Sequence, residues 1–175
     1  GERLALPGLT DPAQGASLAP AWGALGEYLG GLSRAGWTVI ADCGRLASGF
    51  PPWPLLRQAD LVLLALRPRS IATISPAVPA VAHLRRELGD TGPALGLLLI
   101  GGGLPGREVA RHLMVPVAAE LAWDERTAAA LSGLGKGRRR GPLMRSAASA
   151  HRSLSTALAA HRATQAQLFL QPVVS

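Results

Sequence analysis

Three short apolar runs, each stopped by an acid, a proline or glycines, constrain this chain more than any other feature. Trp37-Thr38-Val39-Ile40 runs into Ala41-Asp42-Cys43-Gly44-Arg45, Ala59 to Leu66 stops at Arg67-Pro68, and Ala94 to Ile100 stops at Gly101-Gly102-Gly103. Apolar runs of this length without polar alternation read as strands buried on both faces, the situation of a parallel sheet covered by helices. Helical patterns lie between the runs, and strand–helix–strand succession requires right-handed crossovers. The expected fold is α/β, with three layers, a mostly parallel sheet and helices on both faces. Trp37 to Gly44 is the expected central strand, delivering the Asp42 carboxylate to the ligand edge of the sheet.

The rest of the chain fits around these runs. Leu4-Ala5-Leu6 reads as a short strand closed by Pro7-Gly8. A first helix is expected from an N-cap at Ser17, with Pro20 in its first turn and Leu18, Trp22, Leu25, Leu29 and Leu32 at helical spacing, ending at Gly36. A Gly- and Pro-rich loop, Ser48 to Pro54, leads to one or two helical turns through Leu55, Leu56 and Gln58. Ile71, Ile74, Val78, Val81, Leu84 and Leu88 share a helical face that Pro76 and Pro79 must kink or restart, with Ser75 as a cap for the restart. Gly106 to Leu113 reads as a short helix and Val115 to Ala118 as a short strand. Asp124 caps or starts a helix through Ala128 and Leu131. A basic loop, Gly133 to Gly141, precedes a terminal helix on which Leu143, Ala147, Ala150, Leu154 and Leu158 align. Thr164 to Ser175 shows no clear periodicity. One domain over residues 1–161 and a tail over 162–175 are expected.

With 175 residues, the chain is long enough to bury roughly two-thirds of its unfolded surface in one core. Apolar residues make up 48% and aromatics only 4%, so the core is expected to be aliphatic. Cys43 is the only cysteine, which excludes an internal disulfide and a Cys-based zinc site and makes a reducing cytoplasm the default. No apolar run approaches the ~18 residues of a membrane helix, and no signal-peptide pattern appears. The chain starts at Gly1 rather than Met, so an upstream segment is expected.

Several chemistries find no support. The histidines His83, His112, His151 and His161 show no metal-binding spacing, and no Gly-x-Ser-x-Gly elbow is present for a serine hydrolase. Cys43 has no neighbouring cation to activate it and reads as a small structural residue. Gly101 to Arg107 and Gly133-Leu134-Gly135-Lys136-Gly137 are glycine-rich, but the first lacks a lysine and hydroxyl and the second has Gly where Ser or Thr belongs. Neither is read as a phosphate loop. Asp42 itself reads two ways, as a metal-organising acid or as an acid that caps the turn after it.

The net charge of +7 favours anionic partners. Its densest stretch is Lys136, Arg138, Arg139, Arg140 and Arg145, extended by Arg152 and Arg162. These cations suit phosphate contacts without sequence selectivity, on DNA or an acidic surface. The alternative is a solvated loop, since no aromatic stacking platform accompanies them.

In order and spacing, the motifs from Leu4 to Leu158 resemble the MinD/ParA family of deviant P-loop ATPases. The resemblance runs through Asp42-Cys43-Gly44-Arg45-Leu46, Ala59 to Pro68, Leu97 to Ile100, Val115-Pro116-Val117 to Asp124, Ala128 to Leu131, and Arg145-Ser146. It implies a P-loop NTPase-like fold seen without its N-terminal segment, ATP and Mg2+ as cofactors, a dimer, and a role in chromosome partitioning or positioning. By that resemblance Asp42 would hold the magnesium water shell as catalytic and metal-organising acid, and Gly44 would lie near the γ-phosphate. Arg67, Pro68, Gly101 and Asp124 would border the nucleotide. Two departures stand out: the Asp-to-Gly spacing is short, and glycines replace the asparagine after the third strand. The family's Gly-rich loop with Lys and Ser/Thr would lie upstream of Gly1, so ATP binding is expected only when that loop is supplied. The other reading is a non-catalytic relative that binds DNA or a protein through its basic surface.

Overall fold

The computed structural model describes residues 3–8, 15–46, 51–89, 92–135 and 141–170. The chain divides into two compact units, Gly1–Ala59 and Asp60–Ser175.

In the first unit, Pro20 breaks the expected helix in two. A single turn, α1 (Gly15–Leu18), is followed by α2 (Ala21–Arg34), with Pro20 at its N-cap position. Proline has no N–H to give to a preceding turn but is preorganised to start a new one. Helix α2 ends as the sequence suggests. Gly36 takes φ of +92°, Gly36 N–H donates to Ser33 C=O and Trp37 N–H to Leu32 C=O, which is a Schellman closure. Helix α3 (Trp53–Gln58) packs against α2. The contact passes over Gly26, where a Cβ would stand 2.7 Å from Gln58 Nε2.

Two expected strands are corrected here. Residues 37–45 and 3–8 belong to no ladder among the described residues; Ile40 is 91% exposed and Leu6 76%. A β-rich stretch forms a strand only when a neighbour receives its backbone hydrogen bonds, and local propensity supplies no neighbour.

The second unit holds the sheet, and there the runs ending at Leu66 and Ile100 become strands as expected, while the strand expected over Val115 to Ala118 lies later, over Val117–Leu121. Strands β1 (Leu61–Leu66), β2 (Ala94–Ile100) and β3 (Val117–Leu121) form a parallel sheet in the order β1-β2-β3. Between β1 and β2 lie α4 (Ile71–Ile74) and α5 (Ala77–Leu88). The helical pattern restarts at Pro76, as anticipated, but Pro76 itself occupies the N-cap position. The Ser75 hydroxyl instead donates back to Ile71 C=O, 2.9 Å away. Pro79 falls in the first turn of α5, where a missing N–H costs nothing. Helix α6 (Gly106–Leu113) joins β2 to β3. The aliphatic core consists of Ile74, Val81, Leu97, Leu99, Val109, Leu113 and Val115, with Leu64, Leu66 and Leu95 against it. These residues place α4, α5 and α6 on one sheet face.

After β3 come α7 (Glu125–Leu131) and the 29-residue α8 (Pro142–Leu170). Strand alternation turns Leu61, Leu63, Leu98 and Ala119 away from the core just described, and α8 packs on β3 with Ala150 buried. Its partly buried stripe runs through Leu143, Ala147, Leu154 and Leu158, the face read from the sequence. The helix continues beyond the expected end, past Thr164 to Leu170. At its far end Arg162 makes a two-pronged contact with Asp60, Nε to Oδ1 at 3.2 Å and Nη2 to Oδ2 at 2.7 Å.

The β2–β3 register slips between Leu97 and Leu98, so that Leu97 faces Val117 but Leu98 faces Ala119. Ala118 is an inserted residue, and such a bulge shifts the side-chain alternation beyond it by one. Val117 and Glu120 therefore point to the α6 face together. A Cβ on Gly106 would meet Glu120 Oε1 at 2.6 Å and Val117 Cγ2 at 3.5 Å.

Candidate functional site

The carboxyl ends of the three strands bring Arg67, Pro68, Gly101 to Gly103, Trp123 and Asp124 to one edge, where ligands bind in open parallel sheets. Backbone contacts fix the edge. Gly101 N–H donates to Leu121 C=O at 2.7 Å, and Leu104 N–H donates to Pro68 C=O at 2.7 Å. The second bond draws the glycine loop so close to β1 that a Cβ on Gly103 would lie 2.0 Å from Pro68 O. Gly103 also has φ of +150°, so this position needs glycine on both counts.

The main polar feature of the edge is a stack. The Arg67 guanidinium carbon lies 3.4 Å from the centre of the Trp123 ring, and the indole N–H donates to Glu125 Oε1 at 3.0 Å. Gly101 makes room for it, since a Cβ there would come within 3.3 Å of Trp123 Cβ. An Arg–Trp stack leaves the guanidinium edge free to donate to a planar or anionic group while the ring holds its orientation. The sequence signalled Arg67 by its position after a strand. Trp123 carried no role in that reading, because nothing in one sequence shows that residues 67 and 123 meet.

Asp124 has a definite occupation. Its Oδ1 accepts from Thr127 N–H at 3.0 Å and its Oδ2 from the Thr127 hydroxyl at 2.8 Å, which makes it the N-cap of α7, one of its expected roles. Of the residues expected to border a nucleotide, Arg67, Pro68 and Gly101 share the edge with it, and Arg67 alone offers a charged side chain not already committed to a cap.

Asp42 and Gly44 lie in the first unit, in a segment that joins no ladder, and not at a strand end. Asp42 Oδ1 accepts from Gly44 N–H at 2.9 Å, with Gly44 at φ of +69°, an Asx turn. This is the turn-capping geometry of the two readings of Asp42. Between them, burial and then the Asp42 carboxylate push the Cys43 thiol above its ordinary range, which disfavours the nucleophilic thiolate.

The basic residues Lys136, Arg138, Arg139 and Arg140 lie outside the described residues. Arg145 is exposed in the first turns of α8. Arg162 is engaged with Asp60, whose carboxyl it holds below the usual range chiefly through their hydrogen bonds.

The described residues contain no group of three His, Cys, Asp or Glu side chains placed to hold a metal ion, and no helix among them is long and apolar enough to cross a membrane. A nucleotide triphosphate with magnesium needs a lysine, a hydroxyl ligand and successive backbone N–H groups around its phosphates. The described residues of the strand edge provide an arginine, a tryptophan and glycines, a donor set that does not by itself fit that group. Comparison with protein-family models, curated proteins and solved structures finds no match to this chain.

Proposed function

We propose that this chain is a ligand-binding α/β domain of the MinD/ParA type, acting in partition or positioning, whose ligand lies at the carboxyl edge of the parallel sheet. The observation that carries the reading is the convergence of Arg67, Gly101 and Trp123 at that edge, two of them positions that the family resemblance puts beside a nucleotide. The Arg67–Trp123 pair is suited to a planar or anionic part of the ligand. The phosphates and magnesium require a Gly-rich loop with Lys and Ser/Thr from outside this chain, and the roles of Asp42 and Gly44 rest on the resemblance alone. Binding of ATP by calorimetry tests the reading, on this chain and on a longer version carrying such a loop upstream. The expected result is tight binding only by the longer version, weakened by Arg67→Ala. Binding by neither protein overturns it.

A second reading is a non-catalytic module that contacts DNA or an acidic surface. It is favoured by the poor fit of the strand edge to a magnesium-bound triphosphate. Here retention on DNA is expected to fall with added salt and to drop when Arg138, Arg139 and Arg140 become Ala. Retention indifferent to both overturns it.

A further inference from the structure

The side of the sheet opposite β1 carries a second site that the strand-edge reading leaves unused. Among the described residues β3 pairs only with β2. Alternate residues of a strand turn their backbone N–H and C=O groups to opposite neighbours. Pro116 and Leu121 give their carbonyls to Leu97 and Gly101 on the β2 side, so Val117 and Glu120 turn theirs outward. The next outward donor, Ala122 N–H, is already taken by the Ser146 hydroxyl of α8 at 2.9 Å, and that hydroxyl donates in turn to Leu143 C=O. Among the described residues the edge is closed at Ala122 and open over Val117 to Glu120.

The open stretch is the floor of a cleft of about 610 Å³, walled by Pro105, Gly106 and Arg107 of the α6 end and by Ser149, Ala150 and Ser153 of α8. Apart from Arg107 the wall residues are small, so an incoming backbone can reach the strand. Exposed strand edges are ordinarily blunted by a covering element or a charge that points into the pairing path. Here the one acid, Glu120, is folded back over Gly106 on the α6 face. Arg107 lines the cleft, and two more exposed arginines each stand one helical turn from a lining residue, Arg111 from Arg107 on α6 and Arg152 from Ser149 on α8.

We propose that this cleft docks an extended acidic segment of another polypeptide, which adds a short fourth strand to β3. Its backbone pairs with the outward N–H and C=O groups of Val117 and Glu120. Its alternate side chains fall towards α6 and towards α8, and carboxylates at those positions have Arg107 in the cleft wall, with Arg111 and Arg152 a helical turn beyond it, against Glu120 in the lining and Glu108 beside Arg107. A second copy of this chain fits less well, because it would bring the same excess of arginines to the cleft.

The test uses the full chain and a fluorescein-labelled peptide alternating glutamate and threonine, with a lysine–threonine peptide and a short DNA duplex as competitors. Binding by anisotropy is expected for the acidic peptide only. Amide exchange at Val117 and Glu120 is expected to slow on binding, and that at Leu97 to stay unchanged. Glu120→Pro removes an outward donor without touching the β2 ladder and is expected to weaken binding roughly tenfold or more, the loss of a backbone hydrogen bond that leaves its partner unsatisfied. Glu120→Gln removes only the negative charge and is expected to bind as well or better. Three outcomes overturn the proposal: no protection of the Val117 and Glu120 amides, equal binding of the lysine peptide, or displacement of the acidic peptide by DNA without loss on Glu120→Pro. Protection of the same amides by self-association, with no peptide present, also overturns it. The exchange measurement on the unaltered chain stands if the proline variant does not fold.

Discussion

Residues 37–45 and residues 94–103 are written in nearly the same way, an apolar run followed by glycine, and the molecule uses them oppositely. The second run is the middle strand of the sheet, with Leu97 fully buried and Leu99 nearly so. The first joins no ladder and lies open, with Ile40 almost wholly exposed. The difference lies in neighbours rather than composition. Ala94 to Ile100 has a partner strand on each side and helices α4 to α6 against one face, so its hydrogen bonds and its leucines are satisfied together. The sharpest way to break this contrast is a pair of truncations followed by denaturant unfolding. Leu97→Ala is expected to cost about 3–4 kcal/mol, the loss for a buried leucine in a core that cannot collapse around it. Ile40→Ala is expected to change stability by no more than about 0.5 kcal/mol, as for an exposed side chain. Comparable losses in both would mean that residues 37–45 pack as a strand after all.

The glycines that end the two runs offer a second contrast. Gly44 and Gly103 both have positive φ, but an added Cβ meets open space at Gly44 and the Pro68 carbonyl oxygen, 2.0 Å away, at Gly103. Gly44→Ala therefore carries only the cost of a left-handed non-glycine residue, about 1 kcal/mol. Gly103→Ala adds a clash with backbone that cannot rotate away, and about 2–3 kcal/mol is expected. It should also release the Leu104–Pro68 hydrogen bond, so exchange of the Leu104 amide is the more specific readout. If the Leu104 amide stays protected in Gly103→Ala, the glycine loop is not held against β1 in the way described.

How much of this was legible in the chain follows from the same physics. Helix α6 and strand β2 are readable to the residue, because Pro93 and Gly101 bound an unbroken apolar run and Pro105 marks the start of the helix. Asp124 as a cap was readable, because the cap and its receiver Thr127 are three residues apart. The fate of Trp37 to Ile40 was not, since whether a strand-forming stretch finds a partner is a long-range fact. The same holds for the Arg67–Trp123 stack, which needs residues fifty-six positions apart to meet, and for the β3 bulge, which no local pattern announces. The end of α8 is not legible for a different reason: past Leu158 the apolar period of the sequence fades, while Ala159, Ala160, Ala163 and Ala166 favour continuing the helix.

The two ends of α8 provide the smallest tests, and they bear on where the laddered region stops. Near its start, the Ser146 hydroxyl closes the last outward N–H of the β3 edge, and Ser146→Ala leaves that donor in a partly buried place at a cost of about 1 kcal/mol. Near its far end, Arg162 clasps Asp60, the residue just before β1. The Asp60 carboxyl is held below its ordinary range chiefly by its hydrogen bonds from Arg162. A depressed acid contributes stability above its unfolded value and loses it as pH falls through the folded one. The advantage of the native chain over Asp60→Asn should therefore be constant near neutrality and vanish in strong acid. Both side chains are more than a third exposed, so solvent screening keeps the effect below about 1 kcal/mol. Denaturant unfolding of the two proteins at neutral and at strongly acidic pH measures it. A difference that persists in acid, or one larger than that of Ser146→Ala, would place the end of α8 among the elements that hold the sheet rather than among those that merely lie on it.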